Sequence, residues 1–220
     1  MVRIPLLLLC ALLTSARPII AEDAVEALSR LAPQTTDHCT EQRASDFARL
    51  SDDVESWAAA VVRRLEDRPP QEIIQRLRSL IEADRRVRQL LADVIDLRTR
   101  FAELPAGPPR RTKLRGYLSI TSNAIDLSGR LQFLLHGAID DASYALESSP
   151  AHFDQMLDIL IAARLPMGAR VMSYVLFDPL SEDGGKAFPR TTKVKALALI
   201  RAARAPQLLG DLADFLQEPN

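Results

Sequence analysis

Apolar residues recur at steps of three and four almost everywhere after the first twenty-one positions, and no stretch alternates with period two, so the pattern is that of helices. Phe47, Leu50, Val54, Trp57, Val61 and Leu65 fall on one stripe of a helix expected from about Thr36 to Asp67, with Trp57 in its core. Arg68-Pro69-Pro70 ends it, because a proline disfavours helical geometry in the residue before it. A second helix is expected from Pro70, where a missing N–H costs nothing, to Leu104. Its seam of Ile73, Leu77, Leu80, Val87, Leu91, Val94 and Phe101 repeats every seven residues and is interrupted at Asp84 and Arg98. Two long helices with matching seams and a tight proline turn predict an antiparallel hairpin. The dense charges between the seam positions read as a solvated face.

Three prolines and a glycine between Leu104 and Thr112 predict a linker over 105–111 and a subdomain boundary there. Shorter helices are expected beyond it, at about 112–127, 129–148, 150–164, 167–178, 192–204 and 206–217, with Gly129 breaking the first pair. Ser148-Ser149-Pro150 opens the helix whose buried stripe is Phe153, Met156, Leu157, Leu160 and Ile161. The expected fold class is all-α, a long hairpin over 22–104 followed by stacked short helices over 112–220.

Residues 1–21 break this pattern. Arg3 precedes the apolar run Ile4-Pro5-Leu6-Leu7-Leu8-Leu9-Cys10-Ala11-Leu12-Leu13, small residues follow, and charge begins at Glu22 and Asp23. That order predicts a secretory signal peptide, cut after Ala21 (or after Ala16), and a run too short to span a bilayer. Export to the periplasm or exterior of a bacterium is expected, the heavy use of Arg and Ala fitting a GC-rich genome. The 220 residues carry 28 Lys+Arg against 29 Asp+Glu; losing Arg3 and Arg17 leaves 26 against 29, or −3. Such a balance gives nucleic acid no electrostatic grip. Cys39 would then be the sole thiol, so stability must come from packing rather than a disulfide.

Chemistry is sparse. The chain has no H-E-x-x-H, no G-x-S-x-G and no Ser with Lys three residues later, and Gly185-Lys186 lacks the rest of a phosphate loop. The acidic loop 178–185 lacks the ligand spacing of a calcium loop. No cofactor, metal or catalytic residue is therefore assigned. The constellation around Tyr117, Ser119, Thr121, Ser122, Asn123, Asp126, Ser128 and Arg130 has two readings. Its hydroxyls bond back to their own helix, or Tyr117, Ser122, Asp126 and Arg130 converge on a polar pocket. A histidine, His136 or His152, beside Ser122 or Ser128 would favour a hydrolase. Arg110, Arg111, Lys113 and Arg115 form a basic cluster that suits either a solvated loop or an anionic membrane surface.

Thr191-Thr192-Lys193-Val194-Lys195-Ala196-Leu197-Ala198-Leu199-Ile200-Arg201-Ala202-Ala203 resembles the second helix of a HEAT-type repeat, and Ala205 to Asn220 resembles the first helix of the next. Leu114 to Pro179 is more loosely similar to helical regions preceding such repeats in exported bacterial proteins. The resemblance implies an α-solenoid that binds a protein partner rather than a catalyst. In that pattern Pro219-Asn220 opens a turn into a partner helix, so the last helix is either a cap or is followed by a continuation beyond Asn220, and its apolar character favours the continuation. Leu208, Leu212 and Phe215 would then form an apolar interaction face. The function expected is a non-catalytic scaffold or adaptor of the cell envelope. The alternative is a hydrolase or small-ligand-binding protein using the region 117–130.

Overall fold

A computed structural model describes residues 19–167 and 188–202, and among them every regular element is helical. The order is α1 (Ile19–Leu31), a 3₁₀ turn (Thr36–His38), α2 (Glu41–Val62), α3 (Pro70–Ala102), α4 (Pro108–Ala145), α5 (Pro150–Ala163) and α6 (Arg190–Ala202). The predicted helices at 167–178 and 206–217, with Leu208, Leu212 and Phe215, lie outside the described residues. α1 was not expected, and its first three residues belong to the segment read as a signal peptide.

The first long helix is shorter than the periodicity predicts. Cys39 leaves helical geometry at φ −85°, ψ 68°, and the Thr40 hydroxyl accepts the Arg43 N–H at 3.1 Å, so Thr40 caps α2. Arg43 faces backwards as well: its guanidinium donates to the carbonyls of Leu31 (2.7 Å) and Arg30 (3.0 Å), which α1 leaves without intrahelical partners. α2 buries Ala44, Phe47, Ser51, Val54 and Ala58. Leu50, Trp57 and Val61, expected in the core, are only half-buried. Ser51 lies at the centre of that face and is tolerated there because its hydroxyl donates to the Phe47 carbonyl at 2.8 Å.

α3 matches its expected span to within two residues. Its seam changes phase, with Leu90 and Leu97 buried where Leu91 and Arg98 were expected to lie. Asp84 does not leave the seam; it is 1 % exposed and pairs with Arg88 one turn later.

The largest departure is α4, which begins inside the predicted linker and passes through Gly129 without a break. Pro108 and Pro109 occupy the first turn, where N–H groups are unsatisfied anyway, and Gly107 at φ 154° makes the bend before them. A single exposed glycine costs a helix only about 1 kcal/mol, too little to end it. The described residues divide into two compact units, 19–60 with 82–132 and 61–81 with 133–167 and 188–202, not at the proline-rich stretch.

In the first unit Phe101 and Tyr117 meet at 4.8 Å between ring centroids, and Gly116 lets the α4 backbone approach the Cys39–Thr40 backbone. In the second, α5 and α6 pack on each other. The Thr192 hydroxyl donates to Asp154 at 2.6 Å and Lys195 pairs with Asp158 at 2.8 Å. Phe153 meets Phe188 at 4.8 Å between ring centroids with the rings tilted by 46°, and Ile161 is only half-buried.

Candidate interaction face

The polar constellation lies along α4, and its hydroxyls mostly bond to their own helix. Thr121 donates to the Tyr117 carbonyl at 2.8 Å and Asn123 to the Ser119 carbonyl at 3.0 Å. Tyr117 is in the core against Phe101, while Ser122, Asp126 and Arg130 are exposed. Arg130 pairs with Glu55. That hydrogen bond, then the charges of Glu55, Asp126 and Asp52, raise the guanidinium pKa. No hydrogen bond joins any two of Tyr117, Ser122, Asp126 and Arg130 among the described residues.

Among the described residues neither Ser122 nor Ser128 hydrogen-bonds a histidine. His152 instead accepts or donates through Nδ1 to the Ser149 hydroxyl at 2.8 Å. A hydroxyl beside an imidazole is the first half of a nucleophile–base pair, whose other half is a group orienting the far ring nitrogen. No such group bonds His152 among the described residues, and the pair sits at residues i and i+3 of the α5 start, where Ser149 also precedes Pro150. An open groove of about 280 Å³ lies elsewhere, between the end of α1 and the last turns of α3, lined by Pro33, Gln34, Asp93, Asp96 and Arg100 among others. Arg100 donates across it to the Gln34 carbonyl at 3.3 Å. Cys39 is buried, and burial pushes its thiol up to about 11, which keeps it protonated and a poor nucleophile. Among the described residues no group of three or more His, Cys, Asp or Glu is placed to hold a metal.

The feature that stands out is apolar surface on α4. In the first unit Arg111, Leu114, Arg115, Leu118, Ser122 and Ile125 follow helical spacing on the solvent side, opposite the buried Tyr117, Ile120, Ala124 and Leu127. Leu118 is 57 % exposed and Ile125 51 %. Arg111 and Arg115 form no ion pair among the described residues, whereas Lys113 is held by Asp37.

In the second unit Phe133, Gly137, Asp140 and Tyr144 lie on one face of the same helix, with His136 and Asp141 at its margins. Phe133 is 80 % exposed and Tyr144 52 %. Here the charge is negative. Burial, then the neighbouring carboxylates of Glu66 and Asp140, raise the Asp141 pKa, and none of these three acids has a cationic partner among the described residues. Sequence reasoning missed this surface because it assigned the apolar residues of α4 to no face. The signal was present: Leu114, Leu118 and Ile125 fall off the stripe that Tyr117, Ile120, Ala124 and Leu127 define.

No protein-family model, curated protein or solved structure matches this chain.

Proposed function

We propose that the chain is a non-catalytic helical scaffold or adaptor of the bacterial cell envelope that holds another protein against the outer face of α4. The observation that carries this reading is the exposure of Phe133, since large apolar side chains lying bare along a helix mark interaction sites. α6, whose sequence resembles the second helix of a HEAT-type repeat, packs on α5 and supports a solenoid-like scaffold, a fold type that works by offering helix faces. The signal-like first twenty-one residues support the envelope.

Two experiments test it. With a photo-crosslinking residue at Leu118 or Phe133, cells should yield protein adducts that are absent when the same residue replaces exposed Arg78 on α3. Equal adducts at all three positions, or none, would sink the interaction face. Separately, N-terminal sequencing of the exported chain should begin at Glu22. An uncleaved chain retained in the cytoplasm would remove the envelope from the proposal.

A further inference from the structure

The two halves of the α4 face differ in charge, and the difference is complementary. The first carries Arg111 and Arg115 around Leu114 and Leu118. The second carries Asp140 and Asp141, with Glu66 nearby, around Phe133 and Tyr144. We infer that the occupant of each half is the other half of a second copy of this chain, the two α4 helices running antiparallel. This rests on the interaction-face reading above and names its partner.

Register supports it. With Arg115 opposite Asp140 of the second copy, antiparallel pairing places Leu118 opposite Gly137, Ser122 opposite Phe133, and Arg111 opposite Tyr144. Leu118 and Phe133, two of the most exposed apolar side chains of this face, then each meet a small residue. A Cβ on Gly137 would meet nothing within 4 Å in the single chain, so the space above it is open to receive Leu118. Arg111 reaches an aromatic face, a favourable seat for a guanidinium. Asp141 falls opposite Leu114, within a turn of both arginines. Each copy carries one half of each kind, so two copies satisfy both, as a self-complementary interface requires. An anionic lipid surface would suit the first half and be repelled by the second.

Charge reversal tests the pairing on the full mature chain by sedimentation equilibrium. The wild type should show reversible, concentration-dependent dimer. Arg115→Asp alone and Asp140→Arg alone should each weaken association at least tenfold, because each sets like charges against one another. An equimolar mixture of the two variants should recover the dimer, since each then meets its complement. Asp140 is half-buried, so Phe133→Ser, at a position that is mostly exposed, serves as the second variant; it should weaken association with no change in melting temperature. A wild type that stays monomeric overturns the inference, as do variants that associate like wild type or folded variants whose mixture fails to pair. A monomer that instead binds phosphatidylglycerol vesicles, and loses them with Arg111→Glu, assigns the basic half to lipid and also overturns it. Photo-crosslinks from Phe133 to a different protein, with a monomeric wild type, would remove the second copy and leave the scaffold standing. No crosslinks and no self-association would remove both.

Discussion

Gly116→Ala is expected to lower the melting temperature by about 5–10 °C, a reversal of what glycine-to-alanine usually does inside a helix. An alanine ordinarily stabilises a helix interior by about 1 kcal/mol, through restricted backbone freedom. At position 116 a Cβ would stand 2.4 Å from the Cys39 carbonyl oxygen and 2.7 Å from its carbon, with the Thr40 carbonyl carbon at 3.1 Å. All three are backbone atoms, so no rotamer change can clear them; α4 or the loop before α2 must move. Overpacking costs about 1–3 kcal/mol where side chains can adjust, and here the upper end is expected. At roughly 2–4 °C per kcal/mol for a chain of this size, the fall is measurable by calorimetry or circular dichroism. Gly129→Ala provides the matched control. Nothing lies within 4 Å of a Cβ there, so the ordinary helix gain should raise the melting temperature by a few degrees. If both alanines stabilise, α4 does not lie against the Cys39–Thr40 backbone.

Those two glycines also show what was legible in the sequence. Gly129 reads as a break and Gly116 as an ordinary position of an expected helix, yet Gly116 is a contact and Gly129 only a small cost carried by a long helix. Which is which depends on a segment nearly eighty residues away. Local signals did better. Prolines at 70 and 150 set the starts of α3 and α5 through steric rules that need no tertiary information, and both starts are where expected. The proline-rich stretch misled for a related reason: Pro108 and Pro109 are as compatible with a first helical turn as with a linker. α1 was hidden because its beginning overlaps a stretch whose composition pointed to export.

The buried faces show a subtler limit. Leu90 and Leu91 are equally apolar neighbours, and a seven-residue repeat fits either until the packing partner fixes the phase. On α4 the same ambiguity decides which stripe is exposed. Tyr117, Ile120 and Leu127 are buried while Leu114, Leu118 and Ile125 are not, and composition alone does not distinguish the two stripes. The candidate site was thus present in the sequence as surplus hydrophobicity, and became a surface only once the core was assigned. The constellation of Tyr117, Ser122, Asp126 and Arg130 had the reverse fate: Ser122, Asp126 and Arg130 share the solvent side of one helix, with Tyr117 taken into the core.

Asp84 interrupts the α3 seam in sequence yet stays in it in space, and from this follows the second large expected effect. Its carboxylate is 1 % exposed between Leu80 and Val87, and its ion-pair partner, Arg88, keeps 42 % of its side chain in solvent. Removing the guanidinium by Arg88→Ala leaves a buried carboxylate without that compensation. For a fully buried pair the loss is about 3–5 kcal/mol; the exposure of Arg88 screens part of it, so a loss of about 2 kcal/mol is expected at neutral pH. Asp84→Leu should behave in the opposite way. It removes the charge that needs compensating and continues the apolar seam, while Arg88 can extend fully into water along its methylene stem. Replacement of buried ionic groups by hydrophobes is often neutral or stabilising by 1–4 kcal/mol, and a gain of about 1 kcal/mol is expected here. Chemical denaturation of the two variants measures both signs. The decisive comparison is the double variant: with leucine at 84, loss of Arg88 should cost almost nothing, because the charge it balances is gone. If Arg88→Ala is equally costly with aspartate or leucine at position 84, the arginine acts through packing of its stem, and the buried ion pair is not what stabilises the middle of α3.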